Sequence, residues 1–233
     1  MATLLHTGVL EQLGRSIVNG DRAVGSVSTL AQLEAELGVS RTVVREVVQV
    51  LESTGMLASR QRIGVTVQPV ANWDHLDPRI IRWRLNGPQR EEQLRHLLEL
   101  RAAIEPVAAR VAATRADAAT KARLSDLARR LRGLGEAHGG TSPEYLSVDI
   151  DFHTLILAAG GNPMLAALSN PIAEVLAGRT SLGLMPGDPN PDALDHHERI
   201  AAAVAAGDPD AAERHARAIV MEVWEAVLAK DRA

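Results

Sequence analysis

The 233-residue chain has no cysteine, only five aromatic residues, and nearly balanced charges of both signs. The lack of cysteine excludes a disulfide scaffold and any zinc or redox motif built on thiolates. No apolar run approaches the roughly 18 residues of a membrane span, and the N-terminus lacks the basic segment and cleavage site of a secretory signal. We therefore expect a cytoplasmic protein with no membrane partner. The net charge of −4, taken alone, argues against a nucleic-acid binder.

Alanine is distributed unevenly along the chain: six of the 37 alanines lie in residues 1–100 and 31 lie in residues 101–233. Because alanine is the best helix former, the second part is predicted to be a bundle of closely packed helices. Proline and glycine interrupt the chain between residues 68 and 88. We predict a mostly α protein with domains at 1–70 and 91–233 and a linker at 71–90. The helices of the second domain are expected near 91–114, 117–135, 143–160, 163–181, 191–206 and 208–230.

The N-terminal domain has the spacing of a helix-turn-helix. Thr29 and Gln32 have the spacing of a capping box at the start of a short helix to Leu37. A turn at residues 38–40 leads to a helix over 41–53, and two helices joined by a three-residue turn containing glycine are typical of this motif. The second helix of the motif is the one that enters the major groove of DNA.

Two short strands are predicted after the second helix, at residues 56–60 and 65–68, around the sequence QRIG. This hairpin would form a basic wing beside the helix pair. The alternative is a small structural helical hairpin with solvated arginines. The wing favours DNA binding over that alternative.

Charge in the N-terminal domain supports the same interpretation. Residues 1–70 contain six arginines and six acidic residues, so the net charge of −4 belongs to residues 71–233. Four of those six arginines lie on the second helix and the wing. A neutral domain predicts weak nonspecific binding to DNA and a dependence on a dimer.

The sequence LEAELGVSRTVVREVVQVLESTG, followed by MLASRQRIGVTV, resembles the winged helix-turn-helix of GntR-family transcription regulators over residues 8–70. The resemblance implies binding of a homodimer to double-stranded operator DNA. It assigns the DNA contacts to Ser40, Arg41, Thr42 and Arg45 on the helix and to Arg60, Arg62 and Gly64 on the wing. The segment WDHLDPRIIRW, which begins at Trp73, also resembles the linker of galactonate- and gluconate-type sugar-acid regulators. The favoured interpretation of its tryptophans is structural, with both rings packing the linker helix onto the two domains.

Asp149 and His153 are four residues apart in a segment with helical periodicity, so both side chains point the same way and could bind one metal ion. His197 could supply a third ligand and His215 a fourth. The alternative is chance, because eight histidines in 233 residues place some pairs at helical spacing.

Three segments resemble the all-helical FCD effector-binding domain of FadR-type GntR proteins: ELRAAIEPVAARVAA, DIDFHTLILAAGGNPML and HERIAAAVAAGDPDAA. The resemblance implies a divalent metal, often zinc, held by one aspartate and three histidines, with a carboxylate effector completing the shell. Asp149, His153 and His197 match three of these positions. The fourth position is Ile219, which cannot ligate, so His215, one helical turn earlier, is the candidate substitute.

Arg101 matches the arginine of the E-L-R motif in that domain. It is the expected partner of an effector carboxylate, since two N–H groups of its guanidinium can bind both carboxylate oxygens. The alternative for Arg101 is a structural ion pair with Glu105, one helical turn away.

The function expected from these features is that of a ligand-responsive regulator, a repressor of sugar-acid catabolic genes that a small carboxylate releases from its operator. A metal-dependent enzyme using Asp149, His153 and His197 is the second hypothesis, although no H-E-x-x-H spacing provides a general base. A helical dimerisation protein that has lost both sites is the third.

Overall fold

The computed structural model describes residues 2–181, 183 and 191–230. The chain divides into two compact units, Met1–Arg90 and Glu91–Ala233. Residues 71–90, expected as a linker, are therefore grouped with the first unit. Of the interval between the helices expected at 163–181 and 191–206, the structure describes only residue 183.

Over its described residues, the first unit contains four α-helices, a short 3-10 helix (Val70–Asn72) and a small antiparallel sheet. The helices are α1 (Ala2–Val18), α2 (Leu30–Leu37), α3 (Arg41–Ser53) and α4 (Pro78–Leu85). The strands are β1 (Val27–Ser28), β2 (Leu57–Arg60) and β3 (Gly64–Val67), in the order β1-β3-β2. The predicted wing is confirmed as the β2–β3 hairpin, with Arg60 opposite Gly64. Strand β1, only two residues long, was not predicted.

Local signals in the sequence set the boundaries of α2. The backbone N–H of Gln32 donates to Thr29 Oγ1 at 3.2 Å, and the Thr29 N–H donates to Gln32 Oε1 at 2.7 Å, so the predicted capping box is present. Gly38 ends the helix with a φ of 65°, a conformation that glycine adopts without strain. These two ends fix the turn that leads into α3.

The core of the first unit lies between α1, α3 and the sheet. Leu13, Val44, Val47 and Leu51 are at most 2% exposed, and Val65 of β3 is buried against them. The apolar residues of α3 fall on one side of the helix, as its periodicity predicts. The opposite side of α3 therefore stays in solvent.

Helix α4 packs on α1 through Trp83. The Trp83 indole N–H donates to the Glu11 carboxylate at 2.8 Å, and its ring lies directly over Gly14, where an added Cβ would meet ring atoms at 2.3 Å. Trp83 is 1% exposed. Gly14 thus provides the space into which the ring fits.

Gly14→Ala is expected to lower the free energy of unfolding, although alanine is the better helix former. The added methyl group overlaps a buried ring, and overpacking of this kind costs about 1–3 kcal/mol. Gly8→Ala on the same helix is the control, because nothing lies within 4 Å of its added Cβ. We expect Gly8→Ala to stabilise by roughly 0.5–1 kcal/mol. Thermal unfolding of both variants measures the difference, and a Gly14→Ala variant as stable as Gly8→Ala would contradict the packing.

The second unit is all-helical over its described residues. Its helices are α5 (Arg90–Arg115), α6 (Ala118–His138), α7 (Pro143–Ala159), α8 (Pro163–Ala166), α9 (Ser169–Ser181), α10 (Pro191–Ala206) and α11 (Pro209–Lys230). The single helix expected over 163–181 is wrong, since α8 and α9 are separate. Pro171 has no N–H to donate to the Ala167 carbonyl and its ring crowds that carbonyl, which favours a break before it, whereas at the third position of α9 its missing N–H costs no intrahelical hydrogen bond.

Small side chains line the core of this unit. Ala109, Ala112 and Ala212 are fully buried together with Leu124 and Phe152. Alanine lets helix backbones approach closely, which is consistent with the alanine-rich composition. Among the described residues, no helix is both long enough and apolar enough to cross a membrane.

Candidate DNA-binding surface and metal site

The N-terminal end of α3 presents polar side chains to solvent. Ser40, Arg41, Thr42 and Arg45 are all exposed, because the apolar residues of the helix face the core. Ser40 occupies the N-cap position, but its side chain makes no capping hydrogen bond. Arg41 lies 3.8 Å from Glu34, at the outer limit of an ion pair. The side chain of Arg45 makes no hydrogen bond or ion pair within the described part of the chain. These groups have the chemistry that base edges and phosphates require.

The wing adds two further exposed cations. Arg60 ends β2 and Arg62 lies in the tip, and neither makes an ion pair or side-chain hydrogen bond to any described residue. Gly64 stays a predicted DNA contact, and packing within the sheet separately requires a glycine at this position. Its φ is 121°, and an added Cβ would lie 2.7 Å from the Ser28 carbonyl oxygen.

In the second unit, Asp149, His153 and His197 converge in the interior. Asp149 and His153 lie one turn apart on α7, and His197 comes from α10. Asp149 Oδ1 is 3.4 Å from His153 Nε2 and 3.3 Å from His197 Nε2, and the two Nε2 atoms are 3.4 Å apart. All three residues are at most 5% exposed. The spacing argument is thus confirmed in its geometry.

The other ring nitrogen of each histidine is anchored. His153 Nδ1 lies 2.9 Å from Glu105 Oε2, and His197 Nδ1 lies 2.7 Å from the Ala193 carbonyl oxygen. Both acceptors require an N–H at Nδ1, which leaves Nε2 as the lone-pair nitrogen when the rings are neutral. The anchors therefore point two lone pairs toward Asp149, as metal-binding histidines need.

Glu105 also binds Arg101, so the ion pair considered as an alternative for Arg101 is present. Arg101 Nε and Nη2 donate to the two carboxylate oxygens at 2.5 and 3.1 Å. Arg101 is 0% exposed, and its Nη1 has no hydrogen-bond partner among the described residues. A buried guanidinium with one unused nitrogen can still accept an anionic ligand.

The two units match two known families. Residues 5–67 match the bacterial regulatory proteins of the gntR family, and residues 96–221 match the FCD domain. The chain is 31% identical over 211 residues to the Escherichia coli HTH-type transcriptional regulator YieP, covering 90% of each chain. It belongs to the GntR family.

Two further comparisons extend this assignment. The Escherichia coli galactonate operon transcriptional repressor is 30% identical over 212 residues, covering 89% of this chain and 90% of the repressor. The structure of Lar, which controls the Listeria monocytogenes agr system, superposes with a TM-score of 0.64 at 14% identity and 96% coverage of both chains. The latter likeness supports the fold alone. This GntR protein is a ligand-responsive, DNA-binding transcription regulator of the FadR type, and the matches favour that function over a metal-dependent enzyme.

The FCD residues fit a tetrahedral metal ion. For metal–ligand bonds of about 2.0–2.1 Å, tetrahedral ligands lie about 3.3–3.4 Å apart, which matches all three distances in the cluster. The three donors are one carboxylate oxygen and two imidazole nitrogens, a set suited to zinc and other divalent transition metals. Asp149, His153 and His197 would hold the ion, and no other group of three metal-ligating side chains occurs among the described residues.

Burial and charge keep the carboxylates of this site ionised. Burial opposes ionisation of Asp149, but the hydrogen bonds that His153 and His197 donate when their Nε2 atoms carry a proton hold the pKa of Asp149 well below the usual range, and a bound metal ion would replace those protons. Burial would likewise raise the pKa of Glu105, whereas the Arg101 and His153 charges lower it to about 2. An ionised Asp149 is the form that a metal requires.

His215, the expected fourth ligand, is not brought to this cluster. Its Nδ1 lies 3.1 Å from His196 Nδ1, with ring centroids 5.3 Å apart. His196 and His197 diverge by about 100° around α10, so a ring that meets His196 is directed away from His197. Ile219, at the fourth family position, is buried in the hydrophobic core.

One charged residue of this region was missed by the sequence analysis. Arg179 of α9 is 8% exposed, and burial together with the neighbouring Arg101 charge lowers its pKa to about 10. Arg179 follows Ile172 and Val175 on the buried stripe of α9, at helical spacing. A cation that continues an apolar stripe is the signal that identifies it.

Proposed function

We propose that this regulator represses genes of sugar-acid catabolism, and that a sugar acid bound in the FCD domain releases it from its operator. The unused Nη1 of buried Arg101 carries this proposal. It lies on the residue that holds Glu105, which in turn anchors His153 of the metal cluster. A carboxylate at this place would meet positive charge in a site shielded from water. The 30% identical galactonate operon repressor supports a sugar acid in particular.

Each residue of the site has a separate part in binding. Arg101 would donate from Nη1 to one carboxylate oxygen, while its other nitrogens stay on Glu105. Arg179 adds a second positive charge close to Arg101. Asp149, His153 and His197 would hold a divalent metal, for which zinc fits the distances. When bound, this ion supplies positive charge for a second carboxylate or hydroxyl oxygen.

At the DNA end, a homodimer would place two copies of α3 in successive major grooves of a palindromic operator. The exposed side chains of Ser40, Arg41, Thr42 and Arg45 would contact bases and phosphates. Effector binding would favour an arrangement of the two copies that no longer matches the spacing of the half-sites. A coupling of about 1–3 kcal/mol between the two sites weakens operator binding about 5–150-fold. A regulator of this kind works in the bacterial cytoplasm.

The test is release of DNA by sugar acids. A duplex is first selected from a randomised library with the wild-type protein, and its affinity is measured in the presence of zinc. Galactonate and gluconate are expected to weaken binding about 5–150-fold. Galactitol, which has the same hydroxyl chain without the carboxylate, is the matched control and should have no effect. Equal effects of galactonate and galactitol, or none from either acid, would rule out the proposed effector.

A further inference from the structure

Three polar residues of α7 occupy one buried face of the helix in successive turns. Tyr145, Asp149 and His153 are each four residues apart, and all three are at most 5% exposed. At about 5.4 Å per turn, this face covers about 11 Å along the helix axis. Asp149 and His153 belong to the metal cluster, whereas Tyr145 has no part in it. The buried polar face thus continues one turn beyond the metal ligands.

Two buried guanidiniums from different helices lie beside this face. Arg101 of α5 is held at the His153 end, since it donates to Glu105, whose carboxylate lies 2.9 Å from His153 Nδ1. Arg179 of α9 is 8% exposed, and it is near enough to Tyr145 for each to act on the pKa of the other. A molecule lying along this face of α7 would therefore meet one cation near each of its ends.

The Tyr145 hydroxyl is a neutral hydrogen-bond donor beside Arg179. Burial and the Asp149 carboxylate raise the pKa of this hydroxyl above its usual range. The Arg179 charge opposes the rise in pKa, and the Glu222 carboxylate adds to it. The hydroxyl therefore keeps its proton at neutral pH and can donate it to an anion. A guanidinium and a phenol hydroxyl at one place can together bind a carboxylate.

The protein interior opposes the positive charge of Arg179. Burial and the Arg101 charge lower the pKa of Arg179 to about 10, and Asp149 and Glu105 offset this effect only in part. An anionic ligand beside Arg179 would stabilise the charge that burial opposes. Arg101 offers only Nη1 to a ligand, because its other two nitrogens donate to Glu105. Arg101 and the metal cluster match one carboxylate, which leaves Arg179 for a second.

We propose that the effector is a sugar acid with a carboxylate at each end of its chain, a hexarate such as galactarate, and that Arg179 and Tyr145 bind the second carboxylate. This inference rests on the proposed function, because it concerns a sugar acid that binds at Arg101. The first carboxylate meets Arg101 Nη1, and the length of the α7 face suits an extended six-carbon chain. Arg179 and Tyr145 therefore determine specificity, since they distinguish a diacid from the corresponding monoacid.

Three ligands that share the configuration of their inner carbons isolate the effect of the second carboxylate. Galactitol has no carboxylate, galactonate has one and galactarate has two. Calorimetric titrations use the full-length, zinc-loaded protein without free zinc, so that the acids do not bind metal in solution. We expect the affinity for galactarate to be about 10–100-fold higher than that for galactonate, because a charge-assisted contact is added in a buried site. Galactarate should also release the selected duplex at a lower concentration.

Arg179→Met removes the guanidinium and keeps a long apolar side chain on the buried stripe of α9. It should weaken galactarate binding about 10–100-fold and change galactonate binding by less than about 3-fold. Tyr145→Phe removes only the hydroxyl and should weaken galactarate binding about 3–10-fold. Arg129→Met is the matched control and should change neither affinity, because the Arg129 side chain is 72% exposed. Melting temperatures measured without ligand establish that each variant is folded.

The outcomes separate this inference from the proposed function. Equal affinities of the wild type for galactarate and galactonate would overturn the inference. An Arg179→Met variant that loses both acids equally would also overturn it, because Arg179 would then share the first carboxylate with Arg101. In both cases the proposed function stands if galactonate still releases the duplex. Failure of both acids to bind or to release the duplex would instead overturn the proposed function itself.

Discussion

Glu105→Ala is expected to destabilise the second unit by about 3–5 kcal/mol, because it leaves a charged Arg101 buried without its partner. Arg101 is 0% exposed and donates two hydrogen bonds to this carboxylate. The substitution also removes the acceptor at His153 Nδ1. Chemical denaturation of the wild type and the variant measures the loss. Asp126→Ala is the control, since it breaks an exposed ion pair with Arg129 and should change stability by at most about 0.5 kcal/mol.

A double variant separates two contributions to the lost stability: burial of an unpaired Arg101 charge, and loss of the ion pair itself. Arg101→Met combined with Glu105→Leu fills the same volume with apolar side chains, and we expect it to recover most of the stability. It should nevertheless respond only weakly to sugar acids, because the Arg101 guanidinium that would bind the carboxylate is gone. A loss below about 1 kcal/mol for Glu105→Ala alone would show that water or another group reaches Arg101, contrary to the buried geometry.

The winged helix-turn-helix was predictable because its signals are local. The side chains of Thr29 and Gln32 each accept the backbone N–H of the other residue, three positions away. Gly38 ends the helix within the same short segment. The apolar periodicity of α3 determines which side chains are exposed, so Arg45 could be assigned to the surface from spacing alone. The tip was predicted as a turn, but the positive φ at Arg62 was not, because arginine rarely adopts it.

The metal cluster was only partly predictable. Asp149 and His153 lie one turn apart on one helix, so the spacing of the sequence determines their geometry. Predicting which residue the His215 ring contacts requires the relative position of α10 and α11. The helical face on which His215 lies does not determine which residue of the neighbouring helix it contacts. Arg179 comes from α9, which the sequence analysis had joined to α8. Long-range packing, rather than local propensity, brings these residues to their places.

Zinc binding is the second prediction with a large expected effect. We expect the wild type to bind about one zinc ion per chain, and Asp149→Asn to weaken this binding by at least about 100-fold. Removing a residue that only supports a metal ligand already lowers metal affinity about 10–100-fold. Asp149 would be a direct ligand, and its replacement by asparagine keeps the shape of the side chain but removes the charge. Competition with a chromophoric chelator measures the affinity. Zinc at about 100 times the wild-type Kd should add about 2.7 kcal/mol to the stability of the wild type and at most about 0.4 kcal/mol to that of the variant.

His215→Ala is the control that identifies the ligand set. The His215 ring lies against His196 rather than at the cluster, so this variant should keep the wild-type zinc affinity and stoichiometry. A weakening by His215→Ala comparable to that by Asp149→Asn would mean that α11 moves to supply a fourth ligand when the metal binds. An unchanged affinity for His215→Ala, with a large loss for Asp149→Asn, leaves three protein ligands. The remaining tetrahedral position would then be available to an oxygen of the effector, so zinc and the sugar acid should each strengthen the binding of the other.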